Sequence, residues 1–344
     1  MRIPARTVAA LAGLGLAGSL AVVTGPDVAA GSAAAGPVED AREAARRVPF
    51  SARVEVSWVD KAGVHTAELG VRAVGGSIRV QGPVGQDGAG DGLDGGSPMM
   101  LRASAVTPAA GGGADDLLAP ELEQKYDVER SDGPLVAGRE TDLFVLRSGD
   151  AVRERLAIDT ETGLVLRREV IGAGGEPVRI VTVLQLDTAP VPEAADADGA
   201  GAASPPKTVR VDNLPSAYRA PAALAGGYTR VAAYRHDRLV HLLYTDGLHG
   251  LSLFSQPGTL SGGSLPPGGD AVRVGTSSGV HFTWPGGDVV TWQVGSVVHT
   301  LVGDGTSSDV LAAARSLPRP SEPSVLGRLR GTARLVAELV SGGR

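Results

Sequence analysis

The run from Tyr126 to Asp187 constrains the fold more than any other part of this chain. Five short segments, "YDVER", "ETDLFVLR", "AVRERLAID", "GLVLRREVI" and "PVRIVTVLQLD", alternate apolar with polar residues, and turns such as "SGD", "DTETG" and "GAGGE" separate most of them. Alternation at period two marks a half-buried strand. Turns this short cannot hold the crossover of a dozen or more residues that a parallel pair needs, so the spacing predicts an antiparallel meander. Composition agrees: 49 glycines, 23 prolines and 3% aromatic residues predict a mainly β (α+β) chain with long loops. With 344 residues the chain has room for about two domains, each able to bury its own core.

Residues 1–30 read as a signal peptide. Arg2 and Arg6 form a positive start, Val8 to Val23 is apolar, and Val28-Ala29-Ala30 before Gly31 places small residues at a cleavage site. Ala33-Ala34-Ala35 before Gly36 offers a second cut; uncleaved, the apolar run would be an N-terminal anchor, slightly short for a span. A helix-like run, "VEDAREAARRV", follows Pro37 and stops at Pro49, and two β-rich runs then flank an Asp-Lys-Ala-Gly turn. Residues 82–116 form a low-complexity loop around one short strand, and "DDLLAPELEQKY" reads as a short helix. The first block thus spans 37–187. Residues 188–208, "TAPVPEAADADGAGAASPPK" and its flank, lack large apolar side chains almost entirely and read as a disordered linker. A second β-rich block spans 209–320 and ends in "SSDVLAAARSLP", a Ser-capped helix stopped by Pro318. In residues 321–344, Leu329, Ala333, Val336 and Val340 recur at helical spacing among Arg328, Arg330 and Arg334. That basic amphipathic helix either packs on its own domain or docks through 325–340 on an anionic membrane surface or a partner.

The net charge of −6, with no basic stripe before the last twenty residues, argues against nucleic acid. The absence of cysteine excludes disulfides, thiolate metal sites and a cysteine nucleophile.

Half of the six histidines fall in "HDRLVHLLYTDGLHGLSLFSQPG". Asp246-Gly247 is a strong two-residue hairpin signal, which would set Thr245 opposite Leu248, Tyr244 opposite His249 and His241 opposite Ser252. Alternation then puts Val240, Leu242, Tyr244, His249, Leu251 and Leu253 on one face and His241 and Ser252 on the other, so His241 and His249 cannot share a metal. His281 and His299 read as hydrogen-bonded edge residues, and His65 follows a turn. "GDGLDG" (90–95) formally matches a nucleotide-binding glycine pattern, but no buried strand precedes it and no helix follows. Asp87, Asp91 and Asp94 in the same loop make at most one unrepeated copy of a calcium-type repeat. The acidic turns "DTETG" and "DADGAG" read as solvated. No catalytic residue, metal ligand or cofactor is assigned from the sequence, and binding is the expected role.

The run Val136 to Asp187 has a Gly-Arg strand, a strand ending in Ile-Asp, a Thr-Gly-Leu turn, a Leu-Arg-Arg-Glu strand and a last strand. In that order it resembles the second half of the LolA-like domain of the MucB/RseB family. "VDNLPSAYRAP", "VHLLYTDGLHGLSLFSQP" and "TWQVGSVVHTLVGDGTSSDVLAAARSLP" are similar to that family's C-terminal domain, and together the matches run from Phe50 to Pro320. The resemblance implies an N-terminal half-open antiparallel β-barrel with short helices in its concavity, then a smaller antiparallel β domain with a C-terminal helix. It also implies a non-enzymatic role: binding the extracytoplasmic part of a membrane-spanning anti-sigma factor, shielding it from regulated proteolysis and so restraining an envelope-stress sigma factor. The concave domain would sense a lipid or acylated protein, or the chain would serve instead as an envelope lipid or lipoprotein carrier. Val145, Leu156, Ile158, Leu164, Leu166, Val181 and Val183 either line that concavity or fill an ordinary core. The 82–116 loop departs from the family pattern, as does the basic C-terminal helix.

Overall fold

Antiparallel pairing organises both halves of the computed structural model, which describes residues 44, 47–74, 77–83, 122, 125–189, 207–260 and 268–317. The signal peptide, the glycine-rich motif at 90–95 and its aspartates, most of the 82–116 loop, most of the linker and the basic C-terminal segment lie outside the described residues. So do most positions of the two short helices expected before β1 and β4.

The first half forms an eight-stranded sheet. Its strands are β1 (Phe50–Asp60), β2 (Gly63–Val74), β3 (Ser77–Pro83), β4 (Asp127–Asp132), β5 (Thr141–Ser148), β6 (Ala151–Asp159), β7 (Val165–Ile171) and β8 (Pro177–Asp187). The order is β3-β2-β1-β8-β7-β6-β5-β4, and among the described residues its two end strands do not pair, so the sheet stays open. The expected meander β4 to β8 is present, and β8 returns to lie against β1. Burial alternates most regularly along β1. Along β1, Phe50, Ala52, Val54 and Val56 are buried while Arg53 and Glu55 are exposed. Val54 stands between Leu69 and Val183, and Val56 beside Val181. One apolar row after another therefore lies on the same inner face, each large side chain contributing about 1.5–3 kcal/mol on burial.

The second half is a nine-stranded sheet, ordered β10-β11-β12-β13-β17-β16-β15-β14 with β9 paired to β11. It comprises β9 (Lys207–Thr208), β10 (Ala223–Leu224), β11 (Tyr228–His236), β12 (Leu239–Thr245), β13 (Gly250–Pro257), β14 (Asp270–Val274), β15 (Ser277–Trp284), β16 (Gly287–Val294) and β17 (Val297–Gly303). The single α-helix among the described residues of this half, α1 (Ser307–Ser316), buries Val310, Ala313 and Ala314 in one cluster with Leu242, Tyr244, Leu251, Trp292 and Leu301. The observed class is mainly β, as the spacing predicts.

Four local expectations are corrected. The loop between β12 and β13 holds four residues, Asp246 to His249, rather than two, so Thr245 pairs with Gly250, Tyr244 with Leu251 and His241 with Phe254. The cause is the Asp246 side chain: Oδ1 accepts from Leu248 N at 3.0 Å and His249 N at 2.7 Å, a compact turn that keeps both residues out of the ladder. Tyr244, Leu242, Val240, Leu251 and Leu253 still share one buried face, because the shift is by two pairs; His249 leaves that face. The cap of α1 is Thr306, one residue before the serine pair, with Oγ1 accepting from Asp309 N. Asp159 of "DTETG" is buried, 2% exposed, where it accepts from Arg139 Nε at 2.9 Å and Thr162 N at 3.2 Å. His281 and His299 are hydrogen-bonded, to Asp288 and to Ser255, but on interior strands rather than at an edge.

Candidate functional site

The register of the first sheet puts charge on its apolar inner face. Arg168 pairs with Leu156 on one side and Val181 on the other. Glu154 is two residues before Leu156, and Arg179 two before Val181, so all three project on the same side as those apolar residues. Glu154, Arg168 and Arg179 are 1%, 8% and 3% exposed. Ions this deep need partners within reach, since desolvation is otherwise prohibitive.

Besides the Arg168–Glu154 pair within the first sheet, the partners come from the second sheet, from its loops and the start of β16. Arg168 clasps Glu154 through Nε, with a second contact from Nη2 at 3.2 Å, and its Nη1 lies 3.7 Å from Asp304 Oδ2. His249 Nε2 is 3.1 Å from Glu154 Oε2 and its Nδ1 is 3.8 Å from Asp246 Oδ2. Neither nitrogen meets its carboxylate at hydrogen-bonding geometry, so these contacts are charge pairs rather than linear bonds. Asp246 also accepts from Lys125 Nζ at 2.7 Å and Tyr126 Oη at 2.5 Å, both just before β4. Arg179 donates to Asp288 Oδ2 at 3.1 Å and to the Asp304 carbonyl at 3.1 Å. Asp288 in turn accepts from His281 and from Ser307 Oγ, both at 2.6 Å. At the rim, Arg153 pairs with Asp309 and Lys61 with Asp270. A chain of ion pairs thus crosses from one sheet to the other.

Burial and charge act in opposition here. Burial pulls the His249 imidazole down, but Asp246 and Glu154 outweigh it and hold its pKa at about 9. Burial raises Glu154, yet Arg168 and His249 keep it below the usual carboxylate range. Asp246 is likewise lowered against burial by His249, Lys125 and Tyr126, and Asp288 by His281, Arg179 and Ser307. Burial and the Asp246 charge push both Tyr126 and Tyr228 above an ordinary phenol. At neutral pH Glu154, Asp246 and Asp288 are therefore carboxylates and His249 carries its proton.

The residues offered for an apolar concavity divide between two buried clusters. Leu164, Leu166, Val181 and Val183 belong to the cluster around β1 and β2, while Leu156 and Ile158 join Leu122, Tyr126, Phe144, Leu146 and Val165. Val145 is half-buried and outside both. The second cluster takes Leu248 from the Asp246–His249 loop, so the far sheet reaches into it. A cavity of about 520 Å³ lies between the Pro134–Ala137 loop and β7–β8, lined by Arg167, Glu169, Thr182, Val183 and Leu184. Arg167 and Thr182 alternate with the inward residues, so this cavity opens on the outer face. Leu135 at its rim is 73% exposed.

Residues 100–207 match the family model described as the MucB/RseB N-terminal domain. Over that stretch the chain is similar to the MucB/RseB family. The match includes β4 to β8, hence Glu154, Arg168 and Arg179; Asp246, His249, Asp288 and Asp304 lie beyond it. Three solved structures are similar to this chain. The complex of Pseudomonas aeruginosa MucA/MucB is 20% identical with a TM-score of 0.42, covering 83% of this chain and 98% of that one. A crystal structure of MucB is 21% identical with a TM-score of 0.46, covering 83% and 97%. MucB in complex with MucA(peri) is 20% identical with a TM-score of 0.41, covering 83% and 98%. No curated protein sequence matches the chain.

The seam residues carried one legible signal. Glu154, Arg168 and Arg179 each sit two positions from an apolar residue on the buried face of neighbouring strands, where a charged side chain must be paired. Their partners on the other sheet, 95 to 136 residues away, leave no trace in local spacing.

Proposed function

We propose that this chain is an exported, non-enzymatic regulator that binds the extracytoplasmic part of a membrane-spanning anti-sigma factor. By covering that segment it would shield it from regulated proteolysis and so restrain an envelope-stress sigma factor. The observation that carries this reading is the MucB/RseB match over residues 100–207. A signal-peptide pattern at residues 1–30 supports work outside the cytoplasm. The open ends of the first sheet, β3 and β4, offer strand edges of the kind that extended segments pair with. Residues 37–187 and 209–320 are proposed as its two domains, with 325–340 as a peripheral membrane contact.

The test is affinity capture from membranes with the mature chain, followed by identification of what is retained. The expected product is a single-span protein whose cytoplasmic end binds a sigma factor. Retention of no such protein from membranes that contain one would reject the reading.

A second reading is favoured by the apolar rows of the inner face, Leu156, Leu166, Val181 and Val183 among them. These side chains are packed as core, so an acyl chain would enter only by displacing what covers them, whether the protein senses lipid or acylated protein or carries it. Acyl chains extracted at one per protein, with no anti-sigma segment retained, would make the carrier reading primary.

A further inference from the structure

Each sheet keeps its own apolar core. One cluster draws only on residues from Val48 to Leu186 and another only on residues from Val209 to Leu317. The third cluster belongs to the first half except for Leu248. What joins the halves is therefore mainly charge. Around His249 three carboxylates, Glu154, Asp246 and Asp304, meet two permanent cations, Lys125 and Arg168. The imidazolium is the third cation and closes the balance.

We propose that this seam is a releasable latch: paired, it seats the Asp246–His249 loop on one end of the first sheet's inner face, and unpaired, it frees the second sheet and uncovers Phe144, Leu146 and Leu156. Two features make the latch releasable rather than permanent. Desolvated ion pairs repay little more than their own desolvation, so losing one charge leaves the rest uncompensated. Tyr228 Oη and Arg179 Nε, both buried at the seam, have no hydrogen-bond partner among the described residues, which further reduces the gain from docking. His249 is the group that titrates. Glu154 faces it from β6, Asp246 from its own loop, Asp304 and Arg168 stand behind Glu154, and Lys125, Tyr126 and Tyr228 surround Asp246. The tyrosines, held above ordinary phenols, do not ionise in the same interval.

The absence of native cysteine allows a clean distance measurement on the full mature chain. Ser131→Cys on β4 and Ser278→Cys on β15 place spin labels on exposed positions of the two sheets. The latch predicts one narrow distance peak at pH 6.5 that is half lost near pH 9 as His249 gives up its proton. In His249→Gln the peak should already be broad at pH 6.5 and flat up to pH ~9.5. A narrow peak in the parent at pH ~10, or an unchanged peak in a folded His249→Gln, overturns the proposal. Should His249→Gln fail to fold, the parent titration decides alone. No partner is present in this test, so it succeeds or fails independently of the regulatory reading.

Discussion

His249 shows how one buried side chain ties stability to pH. Its proton is held more tightly in the folded chain than at its ordinary value of 6.5, so its contribution is complete below that pH and is lost as pH rises through about 9. The difference corresponds to roughly 3 kcal/mol. Glu154, Asp246 and Asp288 act in the other direction: their pKa values are lowered, so their contribution holds above the ordinary carboxylate range and disappears as pH falls below it. Stability followed by denaturant melts should be greatest between these limits. Glu154→Gln, which leaves Arg168 with only Asp304 at 3.7 Å and His249 with only Asp246 at 3.8 Å, should cost about 3–5 kcal/mol in the same assay. Arg153→Ala at the half-exposed rim should cost less than about 1 kcal/mol. At this scale the sequence was only partly readable. Leu156 and Val181, which the sequence leaves between concavity lining and plain core, are buried, and alternation puts Glu154 and Arg179 on their face. Their ionic partners, set by how the two sheets meet, have no local signature.

Among the elements, the β12–β13 hairpin shows where pattern reasoning stops. Alternation identified the buried face of both strands, but the loop length was decided by Asp246 side-chain bonds that outcompete a tight Asp-Gly turn. That change moves His249 off the strand and into the seam. Gly287, at the start of β16, is a second element-scale control. Its φ is +135°, and a Cβ there would stand 2.1 Å from the Gly303 carbonyl oxygen, backbone against backbone. Gly287→Ala should therefore destabilise by more than about 1 kcal/mol, with near-ultraviolet dichroism from Trp292 reporting the disturbed β16–β17 ladder. Thr306→Ala removes the α1 cap and should lower stability by about 1 kcal/mol without moving the strands.

For the whole molecule, the antiparallel meander and the mainly β class followed from spacing alone, while the return of β8 to β1 and the charged junction required long-range pairing that no local pattern encodes. Each half keeps a core of its own, and a third cluster shared through Leu248 adjoins the charged seam between them. We propose that this chain, similar to MucB/RseB over residues 100–207, covers the extracytoplasmic segment of an anti-sigma factor. The most direct measurement is the cleavage rate of that purified segment by its regulating protease as the mature chain is titrated in. The account predicts saturable slowing of cleavage that tracks the fraction of segment bound. An unchanged rate at saturating chain, or no complex at all, would contradict it.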